Sequence, residues 1–337
     1  MKRIAKWFCF ALALVALCAC AQAEGGENTP MTPYEIHGAL HVADGRLLDQ
    51  SGVPVQLRGM STHGLAWFPE YVNEETFRFL RDEWHMSCVR LAMYTEEYGG
   101  YCAGGDQEAL KALVCKGVDA AAALGMYVII DWHILSDQDP CVHQEEAICF
   151  FDELARRYAD SGNVLYEICN EPNGAGTWER VSEYANAVIP VIRAAAPNSV
   201  ILVGTPTWSQ NVDQALDKPL AFDNIMYTLH FYAGTHKLPL RLKLEKCLKA
   251  GLPVFISEFG ICDASGNGAL DYDSAEAWRE LIDAYGLSHM CWNLAHKDES
   301  SSILKADCRK LSDWTDDDLN PQGVWMRDWA ISRANTP

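Results

Sequence analysis

Two glutamates, Glu171 and Glu258, each close a short apolar run, in Cys169-Asn170-Glu171-Pro172 and Ser257-Glu258-Phe259-Gly260. A pair of carboxyl groups on one site can hydrolyse a glycosidic bond, one protonating the leaving oxygen and the other serving the anomeric carbon. A single glutamate at a strand end is more often an ion-pair partner, so the weight comes from its company. Arg90 can hold one carboxyl ionised. Asn170 offers an amide to a sugar hydroxyl, and His230 and Tyr232 can hydrogen-bond the carboxylates. Other runs end in the same way, in Ser61-Thr62-His63-Gly64, Asp131-Trp132-His133 and Trp292-Asn293. Buried charge is expensive, so polar ends on so many runs are hard to explain as core filling. The competing chemistry is a metal-dependent hydrolase with His63, Asp131, His133 and His230 as ligands. No His-x-His pair ends the first run and the carboxylate pair already explains the site, so neither metal nor cofactor is expected. A binding protein without catalysis is opposed by the presence of both glutamates and their partners.

The elements that must position these residues are legible as a pattern. Eight runs of strand length fall at 55–60, 88–93, 127–132, 164–168, 200–203, 225–229, 254–256 and 290–294, several rich in β-branched or aromatic residues. Stretches of helical period lie between them, at 108–124, 145–158 and 178–196, and a last one at 322–332. Gly125 supplies a C-cap for the first. Strand–helix units in this number suit one (β/α)8 TIM barrel over residues 34–334. A doubly wound open sheet is the alternative, but no GxGxxG follows the first strand. Ahead of the barrel, Ala43-Asp44-Gly45-Arg46 and Gln50-Ser51-Gly52-Val53-Pro54 are turn signals, which predict a short N-terminal β-hairpin over the barrel floor. In a barrel the strand ends converge on one face, where active sites are built.

Composition narrows the partners. The chain has 337 residues, 49% hydrophobic and 22% charged, with a formal charge of −19. Such a surface repels nucleic acid and anionic lipid. Residues 1–23 read as an export signal: Lys2, Arg3 and Lys6 form a basic start, an apolar run follows, and Ala21-Gln22-Ala23 is a small-x-small cleavage site. The run is too short to span a membrane. Leu17-Cys18-Ala19-Cys20 resembles a lipobox and offers a second route, ending in a lipid on Cys20, with 24–33 as a linker. Export of the protein is expected either way. Ten cysteines follow the signal. None shows metal spacing and several sit in apolar runs, so mostly free, buried thiols are expected.

The motifs taken together resemble glycoside hydrolase family 5, nearest its bacterial endoglucanase branch. The resemblance rests on Arg58-Gly59-Met60-Ser61-Thr62-His63-Gly64-Leu65, Asp131-Trp132-His133 and Tyr166-Glu167-Ile168-Cys169-Asn170-Glu171-Pro172-Asn173-Gly174. It continues through Thr228-Leu229-His230-Phe231-Tyr232, Ile256-Ser257-Glu258-Phe259-Gly260 and the stretch from Trp292 to Ser302. It runs in collinear order from about residue 34 to 331. It implies a retaining endo-1,4-β-glucanase acting on β-1,4-glucan, with Glu171 as acid/base and Glu258 as nucleophile. Glu171 must then start protonated, helped by partial burial and the nearby Glu258 charge, while Arg90 and Tyr232 keep Glu258 ionised. The resemblance also implies that Arg90, His133, Asn170, His230, Tyr232 and Trp292 complete the shared site. By the same token His63, Trp67, Tyr94, Ala264, Lys297 and Glu299 contact sugar. Trp208 is a further platform for a sugar's apolar face, whereas Trp132 reads as core. Phe259 and Pro206 depart from the family pattern and are expected to reshape the cleft. Mannan, xyloglucan and mixed-linkage glucan remain alternative substrates for such a site. A monomer is expected.

Overall fold

The computed structural model describes residues 30–334. The export segment 1–23, with Cys20, and residues 24–29 of the linker lie outside them. The described part opens with a short helix, Pro33–His37, whose N-cap Thr32 forms a capping box with Glu35.

Strands β1 (His41–Ala43) and β2 (Arg46–Leu48) then form an antiparallel hairpin. Its turn residues Asp44 and Gly45 have φ of 50° and 72°, the left-handed pair that a two-residue hairpin favours. A Cβ on Gly45 would lie 2.5 Å from the Gly251 carbonyl oxygen, so the turn also needs the missing side chain.

Eight further strands follow: β3 (Arg58–Thr62), β4 (Cys88–Tyr94), β5 (Tyr127–His133), β6 (Val164–Glu167), β7 (Ile201–Val203), β8 (Ile225–Tyr232), β9 (Val254–Gly260) and β10 (His289–Leu294). Each pairs in parallel with the next, and β10 pairs back onto β3, which closes the barrel and rules out an open sheet. Helices cover the outside, among them Glu74–Asp82, Gln107–Ala123, Gln144–Arg157, Trp178–Ala195, Leu238–Lys249, Tyr272–Tyr285 and Pro321–Ser332. Several start where a polar side chain satisfies an orphan amide: Asn73, Asp106, Thr177 and Asp271 each accept from the third residue on.

Period-two alternation sorts the strand residues. On β4, Val89, Leu91 and Met93 join the outer apolar layer, with Val114 and Val118 from the helix Gln107–Ala123. Cys88 instead joins Tyr127, Ile129, Leu165, Leu202, Met226, Phe255 and Met290 inside the barrel, where Leu40, Leu47 and Val55 pack against them. The hairpin is thus the apolar plug of the barrel floor. Full burial of such a side chain contributes ~1.5–3 kcal/mol. Trp132 is fully buried in the outer layer.

The structure moves some boundaries. β8 runs on to Tyr232 and β9 to Gly260, and their ladder pairs His230 with Glu258. Apolar run length stops a strand where polar side chains start, but here those polar side chains point into the barrel mouth and the backbone ladder continues. Val55 belongs to the floor rather than to β3. All ten cysteines among the described residues are free, and seven are buried. Asp318 accepts from Lys310 and Thr315, so the acidic run 316–318 is a bonded turn.

Candidate active site

Barrel geometry brings the C-terminal ends of the strands around one cleft of about 580 Å³. His133, Glu171, His230, Tyr232, Glu258 and Trp292 line it. So do His63, Tyr94, Trp208, Ala264, Lys297 and Glu299, together with Leu135, Gln210, His236, Ser265 and Gly266, which the sequence did not single out. Arg90 and Asn170 lie beneath, fully buried. Trp67 is not part of this wall. Its ring leans on Tyr94 at 4.8 Å, and its indole N–H donates to the Tyr98 carbonyl at 2.8 Å.

The floor of the cleft is a charged layer set between the apolar plug and the mouth. Arg90 donates from Nε to Glu167 at 2.7 Å, from Nη1 to Glu258 at 3.2 Å and from Nη2 to Asn170 Oδ1 at 2.6 Å. Asp131 also lies 3.0 Å from Nη2. The arginine, Asp131 and Glu167 have no exposure at all, and charges so placed persist only when paired. Burial works against the ionised form of Glu167, but Arg90 and His230 outweigh it and hold the carboxyl down to about 2. Asp131 goes the other way, raised well above the carboxylate range by burial that Arg90 does not offset.

Neighbours set the protonation of two histidines. His133 Nδ1 lies 2.6 Å from Asp131, and its Nε2 receives the Asn170 amide at 3.2 Å. The ring therefore carries its hydrogen on Nδ1, and burial drives its pKa well down, keeping it neutral. The second hydrogen of the Asn170 amide goes to the Ile134 carbonyl at 3.1 Å. Both amide hydrogens are thus occupied within the protein, and a sugar hydroxyl must take one from a protein acceptor. His230 lies 2.9 Å from Glu171 through Nδ1 and 2.9 Å from Ser257 through Nε2. Burial disfavours its charge, but the carboxylates around it raise the ring to about 9.

Glu171 and Glu258 meet across this floor. One oxygen of each, with a nitrogen of His230, all lie within 4.8 Å of one another. An approach this close is consistent with the short carboxyl separation at which two such groups act directly on one sugar rather than through an intervening water. Both oxygens of Glu258 accept: Oε1 from the Tyr232 hydroxyl at 2.8 Å and Oε2 from Arg90. Burial and the Glu171 charge nonetheless push the Glu258 carboxyl up, against His230, Arg90 and Tyr232. The expected ionising effect of Arg90 and Tyr232 is therefore present but opposed. Glu171 has a single side-chain hydrogen bond among the described residues, to His230, and faces the cleft. The four residues weighed as metal ligands offer little: the nitrogens of His133 and His230 are committed as described, and His63 Nδ1 accepts from the Gly64 amide at 2.6 Å.

A family model described as cellulase (glycosyl hydrolase family 5) matches residues 48–298. The chain belongs to glycosyl hydrolase family 5. Among curated relatives of this family, it is 52% identical to endoglucanase A of Butyrivibrio fibrisolvens over 295 residues, covering 87% of this chain and 68% of the relative. It is 42% identical to an endoglucanase of Clostridium saccharobutylicum over 334 residues, or 98% of this chain and 73% of that one. Among solved family 5 folds, the catalytic domain of Thermobifida fusca endoglucanase Cel5A bound to cellotetraose superposes with a TM-score of 0.85 at 36% identity, covering 89% of this chain and 100% of that one.

The two departures from the family pattern resolve differently. Phe259 does not reshape the cleft, because on β9 it alternates with Glu258 and points outward, stacked on Phe231 at 5.3 Å with its edge toward Trp329. Pro206 is buried and opens a turn in which Thr207, Trp208 and Ser209 all have positive φ, 62°, 51° and 53°. Residues of this kind cost about 1–3 kcal/mol each when held there. The turn is pinned by the Trp208 amide on the Pro172 carbonyl at 3.0 Å and by Ser209 Oγ on the Asn170 carbonyl at 2.7 Å. Its outcome is a Trp208 ring 47% exposed in the wall of the cleft.

Beyond Trp208, a polar group of side chains fills the wall. Glu299 bonds Lys297 at 2.6 Å and lies 3.7 Å from His63. Burial and Lys297 drive His63 down to about 3, so it stays neutral. Sequence reasoning passed over Glu167 and Ser257. Each lay inside or beside an apolar run, and the signal that finds them is the inward phase they share with Leu165 and Phe255.

Proposed function

We propose that the protein is an endo-1,4-β-glucanase that hydrolyses internal β-1,4-glucosidic bonds with retention. The observation that carries this reading is the approach of Glu171, Glu258 and His230 within 4.8 Å in an aromatic-walled cleft. In the first step Glu258 attacks the anomeric carbon as the glycosidic bond breaks, and Glu171 gives its proton to the departing oxygen. In the second step water attacks the same carbon, Glu171 takes the water's proton, and the Glu258–sugar bond breaks.

Hydrogen bonding supports these roles. Both oxygens of Glu258 are held by donors, which suits an attacking carboxylate, while the shared proton is left to the Glu171–His230 side. Arg90 and the Tyr232 hydroxyl follow charge as it leaves Glu258 and returns. Trp208 and Trp292 offer apolar faces to the pyranose rings, and His63, Tyr94, Ala264, Lys297 and Glu299 are the proposed polar and packing contacts along the chain. Trp67 serves as a rim contact. Relatives that share 42–52% identity carry endoglucanase names, which favours linear β-glucan over mannan. Among the described residues no helix is long and apolar enough to cross a membrane. Export as a monomer, released freely or held by a lipid on Cys20, is part of the same proposal.

Product analysis on carboxymethylcellulose, barley glucan, xyloglucan and mannan in parallel tests it. A rapid viscosity drop with cello-oligosaccharide release is expected on the first two. Faster hydrolysis of mannan or xyloglucan would contradict the substrate assignment.

A further inference from the structure

Apart from the charged floor of the cleft, the segments that follow β4 and β5 bring a histidine into a group of acids. Glu96 and Glu97 follow β4, Asp137 follows β5, and His143 stands at the N-cap of the helix Gln144–Arg157. The His143 side chain makes no capping bond. Its Nε2 instead meets Glu96 Oε2 at 2.5 Å, and its Nδ1 lies 3.9 Å from Glu146. One ligand atom each from Glu96, Asp137 and His143 lies within 4.8 Å of the other two. Asp137 is only 8% exposed, yet its oxygens accept from neutral donors, the Thr95 hydroxyl at 2.6 Å and the Leu135 amide at 3.0 Å. Glu97 holds Ser136 through Oε1 and leaves Oε2 buried with no hydrogen-bond partner. Burial raises the Glu97 pKa and the Asp137 charge adds to it, against the Ser136 bonds. Among the described residues, none of Glu96, Glu97, Asp137 and Glu146 pairs with a lysine or arginine, and His143 is the base they share.

Four carboxyl groups thus surround one imidazole, one of them nearly buried and one with an orphan oxygen. Buried carboxylates persist when they are paired or coordinate a metal. We propose that Glu96, Asp137 and His143 form a binding site for a divalent first-row metal ion, for which Zn2+ is the best fit, with Glu97 and Glu146 adding negative charge around it. One imidazole nitrogen with carboxylate oxygens is a ligand set that Zn2+ takes, leaving a position for water. The imidazole disfavours Ca2+, which seeks oxygen. Around an ion about 2.1 Å from each ligand, the ligand atoms stand about 3.4 Å apart, so Glu96 and the ring need part by only about 1 Å while Asp137 closes in. Each Asp137 oxygen keeps a lone pair beyond the one that Thr95 or Leu135 uses. The bound ion ties the segments after β4 and β5 to the helix Gln144–Arg157, close in the chain to Tyr98, whose carbonyl holds Trp67. It takes no part in the two steps of hydrolysis.

Calorimetric titration of the tag-free enzyme with Zn2+ tests the site and is expected to show one ion bound with micromolar affinity. His143→Ala and Glu96→Gln should each weaken binding about 100-fold, since even a group that only supports a ligand is worth about 10–100-fold. Ca2+ should bind at least about tenfold more weakly than Zn2+. Zn2+ at about 100 times its Kd should raise the wild-type melting temperature by about 4 °C and leave that of His143→Ala unmoved. Both side chains reach the surface, so without metal each variant should melt within about 1 °C of wild type. If one variant does not fold, the other carries the test. Zn2+ bound as tightly by His143→Ala as by wild type would place the ion at a thiol or between Glu171 and Glu258, and would overturn the proposal. Equal affinity for Ca2+, or neither heat nor a melting shift with Zn2+, would overturn it as well.

Discussion

The guanidinium of Arg90 lies 3.2 Å from the Glu258 carboxylate, and neither group has more than slight exposure. One cation thus touches the Glu258 carboxylate, Glu167 and Asp131 together, with Asn170 as a fourth contact. The charge on the barrel floor and the geometry at its mouth depend on the same side chain.

Removing that cation should damage fold and activity at once. Arg90→Met leaves buried carboxylates without a partner, a loss on the order of 3–5 kcal/mol. Arg90→Lys keeps the charge but cannot reach Glu167, Glu258 and Asn170 with one ammonium. Urea unfolding of both variants should show the methionine variant far less stable, and the lysine variant folded but down by about 100-fold or more in kcat/KM. A fully active Arg90→Lys enzyme would show that the fork geometry is unnecessary.

Tyr232→Phe deletes the donor to Glu258 Oε1. A donor to an ionised group favours that form, so its loss raises a Glu258 pKa that burial has already pushed up. The acid limb of kcat/KM should move to higher pH, with the fold unchanged. An acid limb that stays in place would argue that Glu258 is not the group titrating there.

His289 offers a pH test of stability away from the cleft. It is buried, stacked on Trp329 at 4.3 Å, and burial holds it down to about 4. Between pH 6.5 and 4 the unfolded chain binds a proton there that the folded one refuses, so its contribution to stability is lost as pH falls through that window. In His289→Phe that loss is absent, and the stability gap from wild type should narrow by on the order of 3 kcal/mol from pH 7 to 4. Denaturant midpoints at several pH values give the answer, and a constant gap would contradict it.

Two tryptophans should respond oppositely to truncation. Trp132 is fully buried, and its replacement by alanine is expected to cost about 3–5 kcal/mol. Trp208 is 47% exposed in the cleft wall, and Trp208→Ala should leave the melting temperature nearly unchanged while raising KM about tenfold. Thermal melts and kinetics on cellopentaose separate the two, and an unchanged KM for Trp208→Ala would remove it from the sugar path.

Much of this was legible from the chain because strand ends are marked twice, by a stop in apolar pattern and by the chemistry of the next residue. That is how Glu171, His133 and Trp292 could be placed at one mouth. The rule misplaces strand ends where polar residues continue a ladder, as at His230 and Glu258, whose types the sequence marks but whose place inside β8 and β9 it does not. Glu167 stayed inconspicuous, and Asp131 was weighed only as a metal ligand, because a buried charge inside a strand has meaning only beside its partner, and Arg90 lies on a different strand. Phe259 shows the opposite failure. The β8–β9 ladder shifts register, pairing Phe255 with Thr228 but Glu258 with His230, so Ser257 and Glu258 both face the site and Phe259 turns outward, a break in period two that the sequence does not announce. The left-handed turn that carries Trp208 has no glycine to announce it, so Thr207 and Ser209 gave no warning.

The account stands on Glu258 forming a bond to sugar. Incubation with a 2-deoxy-2-fluoro-β-cellobioside bearing a good leaving group, followed by peptide mass spectrometry, reads this directly. The account predicts one cellobiosyl adduct, on the peptide containing Glu258 and at that residue. An adduct on another carboxylate, or no adduct with inverted anomeric product by NMR, would contradict it.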